Sequence, residues 1–139
     1  MTRANGYDLT FEKRPAYLYA EVRSEEMNET VARAYLAEIA EKCTQTGSKY
    51  VLIYRNVPVM LPDGDLFDTT KFFLELMHGR KVAFVNPHTN ISEDMEFAVR
   101  IGTNRGGNFE LFDSVNEAES WIFEASKTVE LAKSLSEIS

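Results

Sequence analysis

The chain has 139 residues, of which 44% are hydrophobic and 12% aromatic, and this composition predicts one domain with an apolar core. Its 15 basic and 22 acidic residues give a formal net charge of −7, and because no basic cluster interrupts this charge we expect no nucleic-acid binding. A single cysteine, Cys43, and the lack of any long apolar run predict a cytoplasmic protein without disulfides or stable membrane insertion.

The first half of the chain predicts a hairpin, a helix and a strand. Residues 7–12 and 17–22 are rich in β-forming residues and predict the two strands of the hairpin. Apolar residues at helical spacing predict a first helix over 28–44. The apolar run 49–54 is typical of a strand buried on both faces. Residues 56–65, which hold two prolines, are predicted to form a loop.

The second half repeats the alternation of helices and strands. A second helix follows the loop and ends at Gly79, and residues 81–85 predict another buried strand. Ser92 is the predicted cap of a third helix. Residues 108–112 predict the last strand, and the capping box 114–117 opens a fourth helix. We therefore expect an α/β fold: a mainly parallel five-stranded sheet with an antiparallel N-terminal edge strand and about four helices.

The predicted domain covers residues 1–125, and residues 126–139 form a predicted C-terminal helical tail. Residues predicted to share one core are Val51, Ile53, Val82, Phe84, Phe109, Leu111 and Trp121. In the tail, Leu131, Leu135 and Ile138 form an apolar stripe. We expect a homodimer that covers this stripe, with back-packing or fraying of the tail as the alternative.

The order of elements, together with Asp68-Thr69-Thr70 at the start of the second helix, resembles the STAS domain family and the wider SpoIIAA-like group. Anti-sigma-factor antagonists of that family carry an Asp-Ser-Ser-Gly-Leu type motif there, and a partner kinase phosphorylates the first serine. Thr69 is the matching position, whereas Lys71 and Phe72 replace the glycine and the leucine. Strand 81–85 and the ending from Phe109 to Ile122 look more like uncharacterised SpoIIAA-like bacterial proteins.

The resemblance implies a non-enzymatic regulatory module that acts through protein–protein contact, with Thr69 as its phosphoacceptor. The same fold superfamily includes the Sec14-type lipid-binding domains, so the alternative function is binding of a small apolar or lipid-like ligand. Fold analogy does not choose between the two. No cofactor is expected under either function.

The second helix is predicted to begin with an anion site. Asp68 is its predicted N-cap, with a carboxylate that accepts from the backbone N–H of Thr70 or Lys71. Asp63 and Asp65 are interpreted as solvated turn acids rather than metal ligands, because the spacing does not match a calcium loop. No metal site or catalytic set is predicted.

A candidate ligand or partner surface is expected at the carboxyl edge of the sheet. Polar residues after two neighbouring strands gather there in the prediction: Arg55, Asn56, Asn86 and His88. The loop between them is unusually apolar, with Val57, Val59, Met60 and Leu61. These apolar residues either form a binding surface or fold back onto the core.

Overall fold

The computed structural model describes residues 6–138, and within them the side chains up to residue 127. In chain order the elements are β1 (Asp8–Lys13), β2 (Leu18–Arg23), α1 (Glu29–Thr46), β3 (Tyr50–Asn56), α2 (Asp63–Leu76), β4 (Lys81–Val85), α3 (Ser92–Asn104), β5 (Asn108–Phe112) and α4 (Val115–Ile138), with a short 3₁₀ turn, Thr89–Ile91, before α3. The predicted α/β class and its five strands are confirmed.

The sheet has the order β1-β2-β3-β4-β5, so neighbours in sequence are neighbours in space. Strand β1 is antiparallel to β2, and the other neighbouring pairs are parallel, as predicted. Right-handed crossovers that all step in the same direction place their helices on the same face of a sheet. Helices α1, α2 and α3 accordingly form one layer, and α4 covers the opposite face against β3, β4 and β5.

The sheet separates two apolar clusters, because successive side chains of a strand point to opposite faces. In β3, Val51 and Ile53 pack under α1 to α3, whereas Leu52 packs under α4. The prediction of one shared core is therefore wrong for Trp121, which belongs to the α4 cluster with Ile122. It is also wrong for Leu111, which is half-buried and belongs to neither cluster.

Side-chain caps set the start of two helices, and the one at Ser114 is the cap that the sequence predicts. The Asn28 side chain accepts a hydrogen bond from the backbone of Val31 at 2.9 Å and caps α1. The Ser114 hydroxyl accepts from the backbone of Glu117 at 3.2 Å and caps α4. Ser92 does not cap α3: it is the first helical residue, because the preceding 3₁₀ turn leads directly into the helix.

Helix α2 begins earlier than the sequence pattern suggested. Its first residue is Asp63, its N-cap position is Pro62, and no side chain caps it. The Pro62 carbonyl accepts the first helical hydrogen bond, from the Leu66 backbone at 2.8 Å. The prediction that Asp68 is the N-cap is therefore wrong, since Asp68 lies inside the helix and is exposed. Asp63 and Asp65 take the place beside the positive helix end.

Helix α4 is continuous from Val115 to Ile138 and runs through the predicted boundary at residue 125. The predicted stripe of Leu131, Leu135 and Ile138 lies outside the residues whose side chains are described. Over the part of the chain that is described, none of the helices combines the length and the apolar character that a membrane crossing requires.

Candidate ligand-binding site

A cavity of about 60 Å³ lies between the sheet and the layer of α1, α2 and α3. Its floor includes Phe84 of β4 and Phe109 of β5, and its walls come from the three helices. Met27 and Met60 belong to its lining and are half-buried, so the lining reaches the protein surface. Since a water molecule takes up about 30 Å³, the cavity has room for about two water-sized groups.

The cavity exists because α3 approaches the sheet closely at one end and carries short side chains at the other. Gly102 lies so near the sheet that an added Cβ would come within 2.3 Å of the Phe109 ring. One turn earlier, Ala98 and Val99 are too short to fill the space above β4. Phe84 consequently stays half-buried, although β4 is flanked by strands on both sides.

Thr69 places an unpaired hydroxyl at this apolar cavity. Its residue is 3% exposed, and its Oγ1 is buried with no hydrogen-bond partner among the described residues. Thr70 also lines the cavity and is buried. A buried hydroxyl without a partner costs about 1–3 kcal/mol of folding free energy, and native proteins rarely leave one in an apolar wall.

Arg55 is the second unusual polar residue of the lining, with a residue exposure of 4%. Its Nη1 donates to the Val57 carbonyl at 3.2 Å and its Nη2 to the Val59 carbonyl at 2.7 Å. Its Nε donates to the Tyr35 hydroxyl at 3.4 Å. The ion pairs found among the described side chains do not include Arg55, so neutral dipoles surround this cation.

The loop 57–62 is held over one end of the cavity by polar side chains. In addition to Arg55, Asn86 donates to the Val57 carbonyl at 3.3 Å and Asn90 donates to the Pro58 carbonyl at 2.9 Å. These bonds satisfy the carbonyl groups of Val57, Pro58 and Val59 without regular secondary structure. The loop is thereby fixed as part of the wall.

The apolar residues of this loop divide between the two alternatives that the sequence left open. Val57 and Leu61 fold back and are buried. Met60 is half-buried and lines the cavity, and Val59 is 38% exposed. The loop therefore mainly covers the apolar cluster that lies under α1 to α3, and Val59 is the one exposed side chain among these four.

Asn56, Asn86 and His88 meet at the carboxyl edge of the sheet, as the sequence predicts. His88 Nε2 and Asn56 Oδ1 are 2.8 Å apart, and the His88 backbone donates to Asn86 Oδ1 at 2.9 Å. These groups bond to one another and do not line the cavity. An open α/β sheet forms a ligand crevice where its strand order reverses, and the sequential order of this sheet has no reversal.

Several lining residues were not among the predicted site residues, notably Tyr35, Phe84 and Ala98. A sequence signal did exist for Thr69: it shares the inward face of α2 with Leu66 and Phe73, at helical spacing. A threonine on such a face is a polar group directed at the core.

Comparison of the chain with protein-family models gave no match, and comparison with curated proteins gave none either.

Proposed function

We propose that the protein binds a small, largely apolar molecule in the cavity between its sheet and helices α1 to α3. The observation that carries the proposal is the combination of an apolar cavity with a buried, unpaired Thr69 hydroxyl in its wall. Ligand pockets are typically apolar with a few polar groups that fix orientation. A ligand that fills the space and accepts from this hydroxyl removes both the void and the unpaired group.

The regulatory protein-interaction role implied by the family resemblance stays a second prediction, together with a cytoplasmic location. The burial of Thr69, the predicted phosphoacceptor, argues against this role. Thr69 is buried in the inward face of α2, so a kinase reaches its hydroxyl only after α2 opens locally. A phosphate at this position would also carry close to two negative charges into an apolar wall. These features favour ligand binding over a phosphorylation switch.

A homodimer through the end of α4 remains part of the proposal. This helix has 24 residues and spans about 36 Å, whereas β4 has five residues and spans about 17 Å. A helix longer than the strands that it covers extends beyond them, and we propose that a second copy of the chain packs against this remaining length. Light scattering tests this point: the full chain is expected to have twice the monomer mass, and a monomer mass contradicts the dimer.

A titration with 1-hexanol, followed by amide NMR, tests the binding function. We expect saturable shifts in α1, α2, α3 and the loop 57–62, because these elements line the cavity. Amides of α4 around Trp121, on the other face of the sheet, serve as the internal control. Shifts that stay linear with concentration, or that concentrate on α4, would contradict binding in the cavity.

A further inference from the structure

We propose that the natural ligand carries one carboxylate, which the Arg55 guanidinium holds while the apolar part of the molecule occupies the cavity. This inference rests on the proposed function and names the chemical class of its ligand.

Arg55 is a buried cation without a counter-ion among the described residues. It is 4% exposed, and its hydrogen-bond acceptors are two backbone carbonyls and one phenol, all neutral. A charge removed from water is stabilised well only when an opposite charge and good hydrogen bonds replace the water. A bound anion would supply the missing charge.

The guanidinium has donors left for such an anion. It carries five N–H groups, and the three hydrogen bonds to Tyr35, Val57 and Val59 use one each from Nε, Nη1 and Nη2. One N–H on each terminal nitrogen remains. Arginine donors in a planar fork match the two oxygens of a carboxylate, and such charge-assisted bonds are stronger than neutral ones.

The surrounding charge distribution also favours an anion in the cavity. The chain has 22 acidic residues, yet none of them is among the described residues that line this cavity, where Arg55 is the only charged group. The cavity is therefore an electropositive, apolar site inside an acidic protein. A neutral apolar molecule would leave the Arg55 charge unbalanced.

The size of the cavity indicates a short ligand. Room for about two water-sized groups suits the end of a short apolar chain, whose remaining carbon atoms lie toward the opening beside Met27 and Met60. A phosphate monoester would bring a larger, more strongly hydrated head with a second charge, and the described residues of the lining include no second cation. A small monocarboxylate matches both the charge and the volume.

Three probes with the same six-carbon chain test the inference by amide NMR on the full chain: sodium hexanoate, 1-hexanol and hexyl phosphate. We expect hexanoate to bind at least about tenfold more tightly than 1-hexanol, since a charge-assisted hydrogen bond contributes that much. Equal affinities would overturn the carboxylate inference and leave the cavity proposal standing. Tighter binding of hexyl phosphate would overturn the assignment of a carboxylate. Failure of all three probes to bind would contradict both proposals.

The variant Arg55→Gln tests whether Arg55 causes the preference for hexanoate. We expect it to bring the ratio of hexanoate to hexanol affinity close to one. The matched control is Arg80→Gln, because Arg80 also donates to a backbone carbonyl, that of Ser48, but does not line the cavity. Arg80→Gln should keep the ratio of the parent. A ratio that survives in Arg55→Gln would overturn the role of Arg55. If Arg55→Gln does not fold, Arg55→Lys replaces it. The contradicting result would then be an unchanged ratio of hexanoate to hexanol affinity, together with saturable hexanoate shifts in amides that do not line the cavity.

Discussion

At the scale of single residues, the most unusual position is Thr69. Its hydroxyl is buried and unpaired, whereas the hydroxyl of Thr103, also on the helix layer, donates to the Phe109 carbonyl at 3.2 Å. Two threonines in neighbouring helices thus differ in whether folding satisfies their polar atom. Because Thr103 is exposed and Thr69 is buried, substituting both compares a surface hydrogen bond with an unpaired buried hydroxyl.

We expect Thr69→Val to raise the free energy of unfolding by about 1 kcal/mol, because the substitution keeps the shape and removes an unpaired buried hydroxyl. Thr103→Val should lower it by about 0.5–1.5 kcal/mol, because a hydrogen bond is lost. Urea denaturation of both variants and the parent measures these changes. Destabilisation of Thr69→Val by as much as Thr103→Val would mean that the Thr69 hydroxyl has a partner in solution.

Cys43 gives a prediction about pH. The residue is fully buried in α1, and burial raises the pKa of its thiol to about 11, partly offset by the positive charge of Arg80. The unfolded thiol has a pKa of about 8.5, so above that pH the unfolded state loses its proton first and is favoured. Stability should therefore fall between about pH 8.5 and 11.

The same burial should make Cys43 unreactive toward a thiol reagent near neutral pH in the folded protein. Denaturation curves of the parent and of Cys43→Ala between pH 7 and 10 isolate its contribution, since the other titrating groups are common to both. A parallel loss of stability in the two proteins would show that the thiol has an ordinary pKa in the folded state.

At the scale of elements, the contact between α3 and β5 determines where the cavity ends. An added Cβ at Gly102 would meet the Phe109 ring at 2.3 Å, whereas one at Gly64 of α2 would meet no atom within 4 Å. Both glycines lie in helices and have no positive φ. They therefore separate the effect of packing from that of helix propensity.

We expect Gly102→Ala to destabilise the protein by about 1–3 kcal/mol, because α3 must move away from the sheet. Gly64→Ala should be neutral or stabilise by up to about 1 kcal/mol, because alanine favours the helix. Thermal and urea denaturation measure both. A Gly102→Ala protein as stable as the parent would mean that α3 does not lie against Phe109 as described.

The elements themselves were largely predictable, because local signals define them. Strands β4 and β5 have the predicted bounds, since apolar runs and turn residues mark both ends. The start of α2 was missed although Pro62 and the acidic first turn are start signals, because Asp68 offered a competing cap within the same stretch. Leu66 and Phe73 are both buried in the observed helix, and their burial depends on contacts with other elements that no local signal encodes.

At the scale of the whole molecule, the cavity could not be predicted from sequence, because it arises from the way in which three helices sit above the sheet. Part of its lining was nevertheless implicit. Arg55 shares strand parity with Val51 and Ile53, and this parity directs it toward the helix layer rather than to the sheet edge alone. The sequence thus indicated the direction of Arg55, and only the structure revealed the space beside it.

The most direct test of ligand binding in the cavity is the dissociation constant of 1-hexanol for a variant in which the cavity is filled. In Ala98→Leu the added side chain occupies the space above Phe84, so we expect stability to rise by about 0.5–2 kcal/mol and hexanol binding to weaken at least about tenfold. Ala37→Leu is the control, because Ala37 is also a half-buried helical alanine but does not line the cavity. It should bind hexanol like the parent. Parental affinity in Ala98→Leu would contradict the proposal that the protein binds its ligand between the sheet and helices α1 to α3.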